Sequence, residues 1–178
     1  MVLIALADYY ELLVKEYLEQ KGFVVRLNVK FLKNKGYSDI DVLAINLTQK
    51  TTIVGEVKGL SLSRKEIEHE NEDFNDPHLR DKMQELLGHS NFRKHIFCWS
   101  VEDSVKTYAH ENFQVEVVEF WEIINFLIEK VTSARQSKRW IYDQAYPNTM
   151  LLQLLHHFSK PYKGIIRVNL AKLQEQAQ

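Results

Sequence analysis

Two short stretches of the sequence carry ionisable residues at positions where a buried strand would be apolar. Asp41 heads the run Asp-Val-Leu-Ala-Ile, and Glu56 and Lys58 flank Val57 in the run Ile-Val-Gly-Glu-Val-Lys-Gly. Burying an unpaired charge is strongly unfavourable, so two carboxylates and an ammonium on strands need a compensating partner. A divalent cation is the simplest partner, and hard oxygen ligands favour Mg²⁺.

A predicted β-hairpin brings these side chains together. Residues 38–47 and 53–59 are alternating, β-branched-rich runs joined by the polar sequence Thr-Gln-Lys-Thr-Thr, a pattern typical of two antiparallel strands. Side chains two residues apart leave a strand on the same face, so Glu56 and Lys58 share a face of the sheet. We expect Asp41 to converge on the same patch.

The order of these residues resembles the hallmark of the PD-(D/E)XK nuclease superfamily. In that superfamily an acid begins one strand and Glu-x-Lys lies on the next; here Asp41 precedes Glu56-Val57-Lys58. The likeness is greatest to the archaeal Holliday-junction resolvases, in which a helix with a further Glu precedes a Gly-Phe-x-Val strand. Residues 22–25 of this chain are Gly-Phe-Val-Val.

The helix in front of that strand supplies the further acid. Residues 8–20 have the apolar spacing of an amphipathic helix, and Glu11 is favoured over Glu16 as its site residue. The resemblance departs from the family in the strand start, where Ile-Asp replaces Pro-Asp. Asp39 therefore competes with Asp41 for the role of first metal ligand, and the Asp-Val-Leu-Ala strand start favours Asp41.

The resemblance implies a fold and a set of roles. The expected class is α/β (α+β), a restriction-endonuclease-like core with a mixed central sheet flanked by helices in αβββαβ order. Asp41 and Glu56 are expected to bind Mg²⁺ directly with the Val57 carbonyl, and Mn²⁺ is expected to substitute. Lys58 would orient or help to deprotonate the attacking water, and Glu11 would hold a metal-bound water or a second cation. The implied reaction is endonucleolytic hydrolysis of phosphodiester bonds in DNA.

Two other hypotheses stay open. The chain could keep this fold as a catalytically silent nucleic-acid-binding or assembly protein, or Glu56 and Lys58 could form a structural ion pair. An ion pair alone leaves Asp41 unexplained. The intact acid, acid and lysine set favours catalysis over both alternatives.

Further polar residues near the motif are candidates for contacts with nucleic acid or metal. A lysine-rich loop follows the first strand and could meet a phosphate backbone or form a solvated hairpin tip. The helix that begins at Asp76-Pro77 lies where related nucleases place an accessory Lys or Gln. The candidates are Lys30, Lys33 and Lys35 in the loop and Lys82 and Gln84 on the helix. The alternating acids Glu66, Glu68, Glu70 and Glu72 do not crowd one helix face, so we do not expect a metal cluster there.

Charge and length divide the 178-residue chain into a core and an extension. We predict a nuclease-like core over residues 1–131 and a C-terminal extension over residues 132–178. The extension holds seven Lys or Arg residues against two acids. Its sequence predicts a leucine-rich helix over residues 148–158 and a strand over residues 164–168, and thus a small α/β extension. We expect it to pack on the core or on a second subunit of a homodimer. Its candidate phosphate contacts are Arg135, Lys138 and Arg139.

The cysteine content and the first residues bear on location. One cysteine, Cys98, excludes an intrachain disulfide and a cysteine-rich zinc site, and its apolar surroundings predict a buried strand residue. The first seven residues are apolar but lack a basic leader, and Asp8 interrupts them, so we expect neither a signal peptide nor a membrane span. A cytoplasmic protein with no membrane partner and no small-molecule cofactor is expected.

Overall fold

A computed structural model of the chain describes residues 6–33, 36–136, 146 and 148–149. The elements in these ranges are α1 (Leu6–Gln20), β1 (Val24–Lys33), β2 (Gly36–Asn46), β3 (Thr51–Lys58), α2 (Arg64–Phe74), α3 (Pro77–Leu87), β4 (Arg93–Cys98), α4 (Asp103–Phe113), β5 (Val115–Glu119) and α5 (Phe120–Gln136). The predicted start of the core, a helix followed by three strands and further helices, is confirmed. Within these ranges no helix is long and apolar enough to cross a membrane.

The strands form one mixed sheet in the order β1-β2-β3-β4-β5. Strands β1, β2 and β3 are antiparallel, whereas β3, β4 and β5 are parallel. The helical connections that follow β3 and β4 allow the parallel pairs, because a parallel strand needs a crossover. The predicted class is confirmed: this is a mixed α/β sheet with flanking helices, as expected for a restriction-endonuclease-like core.

The sheet divides at one point between β2 and β3. These strands pair from Asn46 opposite Thr51 to Val42 opposite Gly55 and then separate. Strand β2 continues along β1 as far as Gly36, and β3 continues along β4 as far as Lys58. We call the diverging segments, residues 39–41 of β2 and 56–58 of β3, the strand fork. All four ionisable residues that were singled out on the hairpin as candidate ligands or catalysts lie in this fork: Asp39, Asp41, Glu56 and Lys58.

Two helices after β3 begin with side-chain caps. Ser63 caps α2 through a capping box with Glu66, in which the Ser63 N–H donates to the Glu66 carboxylate at 2.7 Å. Asp76 caps α3 by accepting the His78 N–H at 2.8 Å, and Pro77 occupies the first turn. Helix α3 ends at Gly88, whose left-handed φ of 74° suits glycine. The caps fix where each helix starts and so which of its side chains face the sheet.

Apolar side chains hold α2 and α3 against the strands. Ile67 and Phe74 of α2 and Met83 of α3 are buried in one cluster with Ile40 and Ile96 of the sheet. Burial of a side chain of this size contributes about 2 kcal/mol. Helix α2 is therefore held firmly beside the strand fork.

Two compact units are found along the chain, residues 1–123 and 124–178. The sheet and the strand fork belong to the first unit. In the second, α5 continues to Gln136, and Asn148 and Thr149 are helical and buried. The rest of the predicted leucine-rich helix and the strand predicted at 164–168 lie outside the described residues, and the predicted boundary at residue 131 stays a prediction.

Candidate active site

Asp41 and Glu56 face each other at the strand fork. They are the next pair after Val42 and Gly55, where the ladder between β2 and β3 stops. Instead of a ladder carbonyl, the Asp41 carboxylate accepts the Val57 N–H, with 2.7 Å between Oδ2 and the nitrogen. A side chain thus replaces the backbone as the hydrogen-bond partner, and the two carboxyl groups are held side by side.

Burial makes both acids hard to ionise, and the charge of Asp41 adds to this effect at Glu56. Burial, and then the negative charge of Asp41, raises the pKa of Glu56 to about 8. Burial also raises the pKa of Asp41, although the hydrogen bond from Val57 and the Lys58 ammonium act in the opposite direction. A cation between the two acids would remove the repulsion and supply the missing counter-charge.

Lys58 lies between two glutamates. Its Nζ is 3.0 Å from Oε1 of Glu70 and 3.4 Å from Oε2 of Glu56. Burial alone would lower the pKa of Lys58, because it disfavours the charged ammonium. The hydrogen bond to Glu70 and the charges of the surrounding carboxylates outweigh this effect, so the pKa of Lys58 is raised. Lys58 is therefore held as a cation beside the acid pair.

Glu70 is a site residue that the sequence analysis missed. It belongs to the alternating glutamates of α2, which we did not expect to act together, yet it is buried and contacts Lys58. Its neighbours on the helix face, Ile67 and Phe74, are also buried. Spacings of three and four residues place Glu70 on that apolar stripe, and this signal was available in the sequence.

Glu11 lies buried on α1 and contacts the sheet through β1. Its Oε2 accepts a hydrogen bond from the Asn28 side-chain amide at 2.8 Å. Asn28 falls between the pairs that align β1 with β2, at the position across from Asp41, and its φ of 53° is left-handed. Non-glycine residues in this conformation are often strained, and such strain clusters at functional sites. The role of Glu11 with a metal stays a prediction, and Glu16, its competitor, is also buried.

A polar pocket of about 170 Å³ adjoins the strand fork. Its lining includes the carboxylates of Asp39, Glu56, Glu70 and Asp73, with Lys58 among them, and an apolar wall of Phe31, Ile40, Phe74 and Leu79. Asp39 is exposed at the pocket, whereas Asp41 is half-buried and hydrogen-bonded to the backbone. The better fixed of the two candidate first ligands is Asp41.

The donor set fits a hard cation with few protein ligands. In the part of the chain that the structure describes, no three His, Cys, Asp or Glu side chains form a group that could hold a metal. Asp41 and Glu56 would thus supply two carboxylates, and the remaining positions would fall to a backbone carbonyl, water or substrate. Mg²⁺ is usually bound in this way, by one or two carboxylates plus phosphate oxygens.

The basic and accessory candidates do not form one group at the strand fork. Lys30 is exposed on β1 across from Asp39, whereas Lys33 binds Asp73 at 2.6 Å, a contact that raises the pKa of Lys33. On α3, Lys82 bonds to Glu85 at 2.9 Å, Gln84 is exposed, and neither lines the pocket. Four further candidates have no described side chain: Lys35, Lys138 and Arg139 lie outside the described residues, and for Arg135 only the backbone in α5 is described.

The raised pKa of Glu56 predicts a pH-dependent stability of the metal-free protein. The folded-state pKa of about 8 exceeds the ordinary value of 4.5, so folding favours the protonated acid. This stabilisation is complete below pH 4.5 and is lost as pH rises through about 8. At ~1.4 kcal/mol per pH unit the effect is a few kcal/mol. Urea unfolding in chelator across this range should show a falling free energy of unfolding in wild type relative to Glu56→Gln.

The exposed Glu111 of α4 offers the matched control for that experiment. Glu111→Gln removes one exposed carboxylate, so it should follow the wild-type pH profile. Parallel profiles for wild type and Glu56→Gln would contradict the burial of an ionisable Glu56.

The fold and the site together define a restriction-endonuclease-like core with an acid, acid and lysine set at the fork of its sheet. No protein family model matches the chain, and no curated protein sequence matches it. Among similar solved structures, a protein of unknown function, AF1548, aligns at 19% identity and a TM-score of 0.41, over 60% of this chain and 54% of its own. A repair endonuclease from Pyrococcus abyssi aligns at 16% identity and a TM-score of 0.40, over 64% of this chain and 45% of its own. The alignments thus span about half the length of each of these structures.

Proposed function

We propose that the chain is a Mg²⁺-dependent endonuclease that hydrolyses phosphodiester bonds of DNA. The observation that carries the proposal is the side-by-side pair Asp41 and Glu56, half-buried at the strand fork with the Lys58 ammonium beside it. Two crowded acids destabilise the metal-free site, and they are retained on buried strands where apolar residues would pack without repulsion. The fold class and the resemblance of the motif to PD-(D/E)XK nucleases point to the same chemistry.

Each residue of the pair would hold the cation in a different way. Asp41 is fixed by the Val57 N–H through one oxygen, which leaves its other oxygen for a ligand role. Glu56 is set across from it by the register of the strands, and the Val57 carbonyl is the proposed third protein ligand. When bound, Mg²⁺ supplies Lewis-acid charge that favours phosphodiester hydrolysis, and Mn²⁺ is expected to substitute.

Lys58 would act as a cation, because its pKa is raised. A protonated lysine cannot take a proton from water, so of its two expected roles this state favours orienting the water and stabilising charge on the phosphate. Glu11, tied to Asn28 across from Asp41, would hold a water or a second cation at the edge of the site.

Recognition of DNA is proposed from the basic residues at the periphery. Exposed Lys30 lies on the strand beside the fork, and the basic extension would add contacts through Arg135, Lys138 and Arg139. Contacts of this kind give affinity without reading sequence. A homodimer would present two such sites to two strands. The alternative function is a catalytically silent nucleic-acid-binding or assembly protein of the same fold.

A cleavage assay with a metal titration tests the proposal. Purified protein is incubated with linear duplex, single-stranded and four-way-junction DNA, and Mg²⁺ or Mn²⁺ is added stepwise. We expect cleavage that rises with either metal and stops on addition of chelator. DNA binding without cleavage at any metal concentration would favour the silent alternative, and neither binding nor cleavage would contradict both.

A further inference from the structure

We propose that Glu70 is a positioning residue that holds the Lys58 ammonium against the Asp41 and Glu56 pair. This inference rests on the proposed function of the site and adds a residue to it. Glu70 lies on α2, outside the hairpin that carries the acid, acid and lysine set. Its role would be to aim Lys58 rather than to bind metal or substrate.

The geometry around Lys58 supports this role. The contact from Nζ to Glu70 is 3.0 Å, shorter than the 3.4 Å contact to Glu56 on the same strand. A lysine side chain is a flexible four-carbon stem and settles only where its head group is held. Two contacts from different directions, one from β3 and one from α2, hold this head group in place.

Helix α2 gives Glu70 a fixed position. Ile67 and Phe74, which flank Glu70 on the same face, are exposed by no more than 1%. The Glu70 side chain is itself only 8% exposed, so its carboxylate has little freedom to turn toward solvent. The capping box at Ser63 sets the start of the helix and thus the direction in which residue 70 points. Pre-organised neighbours of this kind are what keep a catalytic group in a productive geometry.

The contact has a functional side beyond stability. Without Glu70, Lys58 would be drawn toward Glu56, which is needed free for the cation. Glu70 therefore keeps the lysine from pairing more closely with the proposed metal ligand while holding its ammonium beside the acid pair. A merely structural ion pair would affect the melting temperature but not the rate at saturating substrate and metal.

The test compares Glu70→Gln with Glu72→Gln, an exposed glutamate two residues further along α2. Single-turnover rates are measured at saturating DNA and Mg²⁺, together with DNA affinity and melting temperature. We expect Glu70→Gln to slow cleavage roughly 10-fold to 100-fold while DNA affinity changes by less than about twofold. Glu72→Gln should match wild type. Glu70→Asp keeps the charge on a shorter side chain, so its cleavage rate should fall between those of wild type and Glu70→Gln. This variant provides a second measurement.

Two further measurements separate positioning from other effects. In a Lys58→Met background, Glu70→Gln should cause no additional loss, because the lysine that it aims is already absent. An equal loss in both backgrounds, or a wild-type rate for both Glu70 variants, would overturn the inference. Side-chain NMR of the Lys58 ammonium gives a readout that needs no cleavage: its signal should change in Glu70→Gln and not in Glu72→Gln. If wild type cleaves no DNA, the proposed function fails, and an unchanged Lys58 signal would overturn the positioning role separately.

Discussion

Asp41→Asn and Glu56→Gln are each expected to reduce DNA cleavage by on the order of 1,000-fold or more, because each removes a charged metal ligand. Both replacements keep the size of the side chain, and the amide oxygen introduced at position 41 can still accept the Val57 N–H. The fold should therefore stay intact. Calorimetry should show weaker Mg²⁺ binding in both variants, and their metal-free melting temperatures should equal or exceed that of wild type, since each replacement removes a buried ionisable group.

Asp39→Asn is the control that decides between the two candidate first ligands. Asp39 lines the pocket but is exposed, so its replacement should leave metal binding close to that of wild type. A loss of metal binding in Asp39→Asn with normal binding in Asp41→Asn would reassign the ligand. Normal cleavage by folded Asp41→Asn and Glu56→Gln would remove the basis of the proposed activity.

Lys58→Met is expected to slow cleavage ~100-fold while Mg²⁺ affinity is largely retained. The loss of one positioned charge at a developing oxyanion raises the barrier by ~3 kcal/mol, and the methionine approximates the length of the lysine stem. Because the variant leaves both carboxylates in place, it separates turnover from metal binding. Single-turnover rates and calorimetry on the same preparation provide the two measurements.

Arg is an informative second replacement at position 58. Lys58→Arg keeps the charge but broadens the head group, so it should retain part of the rate if stabilisation of charge is the role of Lys58. If Lys58→Met bound Mg²⁺ as weakly as Asp41→Asn does, separate roles for the lysine and the acids would be contradicted.

Much of the fold could be predicted because its signals are local. The alternation in β2 and β3, the capping box at Ser63 and the Asp-Pro start of α3 each depend on residues within a few positions of one another. The burial of Cys98 was likewise predicted from its apolar neighbours, and burial raises the pKa of its thiol to about 12. The acid, acid and lysine set was found because ionisable residues on buried strands are rare.

The rest of the site depends on contacts between distant parts of the chain. The spacing from Ile67 and Phe74 places Glu70 on the apolar face of α2, but its contact with Lys58 follows from how α2 packs on the sheet. That packing involves β4, a strand separated from α2 in the sequence by the whole of α3. The left-handed backbone of Asn28 has no sequence signal beyond the tolerance of asparagine for that conformation. Its contact with Glu11 joins residues 17 apart in sequence, across α1 and β1. A sequence pattern indicates such a long-range contact only when both residues are of an uncommon type for their positions.

The strand fork determines where the chain can tolerate a change in length. The turn at residues 47–50 lies five residue pairs away from Asp41 and Glu56, at the other end of the hairpin. An added or deleted residue in that turn leaves the ladder intact. One added residue inside 42–46, by contrast, turns every side chain beyond it to the opposite face and sends Asp41 away from Glu56. Relatives of this protein should therefore vary in the hairpin turn while keeping a constant number of residues on each side between the turn and its acid.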